Sequence, residues 1–156
     1  MKTELIQVGK TTSKHFATII DDYAARIAHY MPFTMTTIPE LRQTKSLTQE
    51  QQKQAEGEQI MRMLQPHDTV VLLDERGPEL RSTELASWLE KKRSTARRLI
   101  FIIGGPYGFS PTVYRRANEM LSLSRLTFSH QMVRLVFTEQ LYRACTIIKG
   151  EPYHHE

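Results

Sequence analysis

Apolar positions along this 156-residue chain fall into short runs separated by longer stretches with helical spacing. Lys2 to Val8 alternates as a strand does, and Gly9 ends it. Ser13 can cap a helix to about Tyr30, in which Phe16, Ile19, Ile20, Tyr23 and Ile27 recur on one face. Pro32 breaks that helix, and Phe33 to Ile38 predicts a second strand closed by Pro39. Leu41 to Thr48 is polar and basic and reads as a mobile connection. Gln49 to Leu64 predicts a very polar helix whose thin apolar stripe is Ala55, Ile60, Met61 and Leu64. After a turn at Pro66-His67-Asp68, Thr69 to Leu73 predicts a third strand with Asp74 at its carboxyl end. Ser82 or Thr83 caps the next predicted helix, which runs to about Arg93 with Leu85, Trp88 and Leu89 facing the core.

The remaining chain, from Leu99 to Arg143, organises the rest. Five consecutive apolar residues, Leu99 to Ile103, predict a strand buried on both faces. Gly104 and Gly105 end it and omit side chains where a ligand or backbone comes close. Ser110 and Pro111 suit the N-cap and first position of a short helix. Leu121 to Phe128 reads as a further short strand, and a long amphipathic helix runs from near His130 to near Gly150. Strands alternating with helices predict an α/β fold, one domain over residues 1–156, with a mostly parallel sheet covered by helices on both faces. Ligands in such sheets sit beyond the carboxyl ends of the strands. Asp74, Gly105 and the Thr127–His130 loop all lie there, so three loops are expected to converge.

Composition narrows the partners. Hydrophobic content of 40% and charged content of 24% are ordinary for a globular protein. Glu4 interrupts the first apolar run, so the amino terminus does not read as a signal peptide. No stretch has the length of a membrane span. The single cysteine, Cys145, excludes an intrachain disulfide, and a cytoplasmic location is expected. Net charge is +4 but uneven. Residues 1–75 carry 8 Lys/Arg against 10 Asp/Glu, net −2; residues 76–156 carry 13 against 7, net +6. The basic half coincides with the organising stretch, as a polyanionic partner would require, although a solubilising surface gives the same balance. Arg97/Arg98 and Arg115/Arg116 are the candidate contacts to such a partner.

The candidate chemistry has ordinary alternatives. Gly104 to Gly108 is neither a phosphate-binding loop nor a dinucleotide fingerprint, and on the residues alone a tight strand-to-helix turn explains it better than a ligand loop. Arg143 stands four residues after Glu139, the spacing of a surface ion pair. Cys145 lies on the apolar face of the closing helix and reads as a small buried hydrophobe. His154 and His155 end the chain, but no Cys/His cluster supplies further ligands, so no metal is expected.

IGGPYGFS, LSLSRLTFSH, LYRA and the terminal PYHHE, in that order, resemble the RlmH (YbeA-like) family of SPOUT methyltransferases over nearly the whole chain. The resemblance implies an α/β fold with a carboxy-terminal trefoil knot and a homodimer. It implies methylation of N3 of a pseudouridine in the helix 69 hairpin loop of 23S ribosomal RNA, with S-adenosyl-L-methionine as methyl donor. It places Leu73, Gly105 and the segment Ser124, Arg125, Leu126, Thr127, Phe128 and Ser129 around that donor, and Arg143, Tyr153 and His154 in catalysis. Ser129 stands where members often carry proline, and His155 where they often carry arginine, so His155 inherits no role. A non-catalytic RNA-binding protein docking on the ribosome, or an enzyme of small nucleotides, would share the basic half without the methyl transfer.

Overall fold

The computed structural model describes residues 1–156 and contains five strands and five helices in alternation. The strands are β1 (Lys2–Val8), β2 (Phe33–Ile38), β3 (Thr69–Leu73), β4 (Arg98–Ile103) and β5 (Glu119–Leu121). The helices are α1 (Lys14–Ala28), α2 (Gln49–Arg62), α3 (Ser82–Thr95), α4 (Pro111–Arg116) and α5 (His130–Lys149). The segment read as a mobile connection contains a single 3-10 turn at Thr44–Ser46. All strand pairs are parallel, in the order β2-β1-β4-β3-β5.

This order follows from right-handed crossovers. The connections β1-α1-β2 and β3-α3-β4 step one way along the sheet, so α1 and α3 share a face, where α5 packs against both. The connections through α2 and α4 step the other way and put those helices together on the opposite face. β4 sits between β1 and β3 and serves both layers. Leu99, Phe101 and Ile103 join Leu89, Phe137 and Leu141 in one core, whereas Ile100 and Ile102 join Ile60, Phe109 and Val113 in the other. Successive side chains of one strand thus feed opposite cores, which explains its uninterrupted apolar run.

Several helix and strand ends shift by one or two residues from the sequence reading, and two differences have a clear physical cause. β5 stops at Leu121, because its partner β3 ends at Leu73 and offers no further backbone. Beyond it, the Ser122 amide donates to the Pro78 carbonyl at 2.9 Å and the Ser122 hydroxyl to the Ser124 carbonyl at 3.1 Å, so 122–128 is a loop. The cap of α3 is Arg81 rather than Ser82 or Thr83: the Arg81 amide donates to the Glu84 carboxylate at 2.8 Å. The Ser82 hydroxyl is thereby free to donate to Gln140 at 3.0 Å, joining α3 to α5.

Candidate active site

The carboxyl ends of β3, β4 and β5 enclose a cavity of about 560 Å³, a volume typical of small-molecule sites. It lies where α3 and α4 leave the sheet toward opposite faces, the switch point at which open α/β sheets bind ligands. Leu73, Ile103, Leu123 and Phe128 give it apolar walls. Asp74, Ser124, Thr127 and His130 supply polar groups around them. Flat apolar walls with hydroxyls and a carboxylate suit a nucleoside bearing a cationic group, so the residues present fit S-adenosylmethionine. No cluster of three or more His, Cys, Asp or Glu residues could hold a metal.

Of the residues assigned to the donor by resemblance, Leu73, Gly105, Ser124, Leu126, Thr127 and Phe128 line this cavity. Arg125 does not: its side chain is 91% exposed and pairs with Glu79 at 3.2 Å. Ser129 does not either; its hydroxyl accepts from the Met132 amide at 3.2 Å and caps α5. A wall the sequence reading missed is Tyr114, whose hydroxyl donates to Asp74 while Arg76 lies 4.7 Å over its ring. Burial, followed by the Asp74 carboxylate, raises the Tyr114 pKa. The signal for Tyr114 was its place four residues after the helix cap Ser110, which returns its side chain to the same end of the sheet.

Gly105 lines this cavity and also makes room for a second neighbour. A Cβ there would stand 2.4 Å from Glu56 Oε1 and 2.7 Å from Oε2. The missing side chain makes room for a buried carboxylate behind the turn. The sequence reading passed over Glu56, which adjoins Gly57 in the middle of α2. That glycine was the available signal: its own Cβ would meet Ser110 Oγ at 2.5 Å, marking close packing of α2 on α4 at this level.

Arg143, Tyr153 and His154 come together, but away from this cavity. Val133 lines the cavity, and Arg143 lies ten residues further along α5, about 15 Å at 1.5 Å per residue. Arg143 donates to Glu139 Oε1 through Nε at 3.2 Å and Nη2 at 2.6 Å. Its guanidinium lies 4.7 Å from the ring centroid of Tyr153, whose hydroxyl donates to the same Glu139 oxygen at 3.0 Å. Burial raises the Tyr153 pKa, and hydrogen bonds with Tyr23 and Glu139 add to it. Arg143 Nη1 lies 3.1 Å from His154 Nδ1. Because arginine only donates, Nδ1 is the acceptor and the ring hydrogen sits on Nε2. The tail is therefore an ordered strap. Tyr30 fastens its start by donating to Glu151 at 2.8 Å, and burial with that carboxylate pushes the Tyr30 pKa up to about 12.

The other candidates divide plainly. Arg98 is committed at the amino end of the sheet, donating to Glu4 and to buried Asp68 at 2.9 Å each. Arg116 donates to the Gln65 and Asp68 carbonyls there. Both guanidinium groups thus have protein partners. Cys145 is buried, and burial pushes its thiol up to about 11, which disfavours the thiolate.

A family model described as Predicted SPOUT methyltransferase matches residues 1–154. A protein named Ribosomal RNA large subunit methyltransferase H from Bacteroides fragilis is 60% identical over 157 residues, covering all of both chains. Proteins of the same name from Phocaeicola vulgatus, 57% identical over the whole of both chains, and Christiangramia forsetii, 52% identical over 99% of each, are similar throughout.

Proposed function

The chain belongs to the SPOUT methyltransferase family, and from that premise we propose that it methylates large-subunit ribosomal RNA at N3 of a pseudouridine, using S-adenosylmethionine. The observation that carries this reading is the cavity at the switch point, whose walls suit a nucleoside and whose loops carry the family motifs. S-adenosylmethionine supplies an electrophilic methyl group there. Leu73, Ile103, Leu123 and Phe128 would hold the adenosine, and Asp74 would face the cationic end. Reaction at an imide nitrogen needs alignment of the base and stabilisation of its anion. Arg143, held by Glu139, offers the cation for that anion, and Tyr153 offers a ring face against which a base can stack. With Nδ1 against Arg143 and Nε2 buried 3.5 Å from Glu156, His154 would serve by holding the Arg143 guanidinium in place.

A symmetric homodimer belongs to the same reading, because one chain keeps its strap remote from its own cavity. Leu135 on α5 joins neither core, and Ile19 on α1 is 45% exposed, so the α1–α5 face retains apolar surface for a second copy. A carboxy-terminal knot belongs to the same reading through the family alone. No helix is long and apolar enough to cross a membrane, consistent with action on cytoplasmic ribosomes. The direct test supplies labelled S-adenosylmethionine and large ribosomal subunits carrying the unmethylated pseudouridine. Methyl incorporation at that nucleotide is expected, falling about 10²–10³-fold in Arg143→Ala, as for loss of one anion-stabilising donor. Absence of cofactor binding by calorimetry overturns the proposal.

A further inference from the structure

Behind the Gly105-Pro106 turn lies a second cavity of about 300 Å³, which shares Gly105, Pro106 and His130 with the first. Two buried charges line it: Glu56, 5% exposed, and Arg134, 1% exposed. Arg134 donates to the Thr11 hydroxyl at 3.0 Å and the Val8 carbonyl at 2.8 Å, and its Nε has no partner. The Glu56 carboxylate accepts only from Gln52 Nε2, at 3.4 Å, and no Lys or Arg pairs with it. Burial raises the Glu56 pKa, the Gln52 hydrogen bond opposes this, and nearby Glu40 adds to it. An ionised carboxylate has about four acceptor positions, and a buried one left under-paired is unfavourable. The Glu56 carboxylate therefore has acceptor positions left for a donor from a ligand.

We propose that the second cavity receives the target base and that Glu56 accepts the N1–H hydrogen, the group by which pseudouridine differs from uridine. The inference rests on the pseudouridine reading above. The two cavities share Gly105, Pro106 and His130, so a base in the second would stand beside a methyl donor in the first. Uridine, linked through N1, presents one N–H flanked by two carbonyl oxygens. Pseudouridine, linked through carbon, presents the same edge and a second N–H beside it. A carboxylate accepts from the added N–H, whereas uridine sets a C–H in its place and leaves the buried carboxylate without that hydrogen bond, so one side chain favours the correct base. Lys10, exposed on the same cavity, is available to a base carbonyl. Phosphate is a poor occupant beside Glu56 and Glu40.

The test compares unmethylated large ribosomal subunits carrying pseudouridine or uridine at the target, with the wild-type protein, Glu56→Ala and the isosteric Glu56→Gln. Cofactor binding is followed by calorimetry. The wild type is expected to prefer pseudouridine. Glu56→Ala should lower kcat/KM on pseudouridine about 10- to 100-fold, the worth of a charge-assisted hydrogen bond, and leave uridine within about threefold. Glu56→Gln, which keeps an uncharged acceptor, should fall between them. Equal losses on both substrates in both variants, or an unchanged preference, overturn the assignment. Weakened cofactor binding with the preference intact assigns Glu56 to the cofactor's ammonium and also overturns it. A wild type indifferent to the two bases instead refutes the pseudouridine reading itself.

Discussion

At Gly105 the absent side chain and the Glu56 carboxylate occupy one space. Gly105→Ala should therefore destabilise the protein by about 1–3 kcal/mol, as other strained core substitutions do. Glu56→Ala opens that space, so the double variant Gly105→Ala/Glu56→Ala should recover most of the loss. Thermal or urea unfolding of the four proteins measures this coupling, and strict additivity would show that the two positions do not collide. Glu56 also predicts a pH dependence. Its folded pKa lies above the ordinary 4.5, so the stability it contributes is present below that value and lost as pH rises through the folded pKa. Glu56→Gln should accordingly melt higher than the wild type at neutral pH, by about 1–3 °C, with the difference closing near pH 4. A difference that stays constant with pH would mean that the carboxyl is not perturbed.

At the scale of elements, α5 connects the two chemical regions. Its first turn borders both cavities through His130, and its last turns carry Arg143 and anchor the strap. The ends of α5 are fixed by Ser129, whose hydroxyl accepts from Met132, and by Gly150, whose φ of 75° favours glycine. Ser129→Ala should lower stability by about 1 kcal/mol. It should also weaken cofactor binding, because fraying of the first turn displaces His130 and the preceding loop. Calorimetry with S-adenosylmethionine checks this, and unchanged binding would show that the loop is set independently of the cap.

For the whole molecule, the separation of strap and cavity has one economical resolution: two copies whose straps serve each other's cavities. Thr127→Trp places bulk in the cavity from an exposed loop position, and His154→Ala removes the strap imidazole. Each homodimer should be inactive. After subunit exchange, mixed dimers should regain about half the activity per active pair, since one cavity then meets an intact loop and an intact strap. Exchange confirmed by mass with activity at background would mean that each strap acts within its own chain.

Local order determined most of what could be read in advance. The caps Ser13 and Ser110, the stop at Gly150 and the double-faced run of β4 depend on neighbours within a few residues, so their spacing states them outright. The family motifs likewise mark which loops matter, because they lie in continuous stretches. Tertiary structure decided the rest. Glu56 reads as one polar residue of a polar helix until α2 packs it behind Gly105, and Arg98 reads as surface charge until β1 and Asp68 surround it. Burial and the choice of partner are properties of elements far apart in the chain, and no local pattern encodes them. For the same reason, only the folded chain separates Arg143, Tyr153 and His154 from the cavity they are proposed to serve.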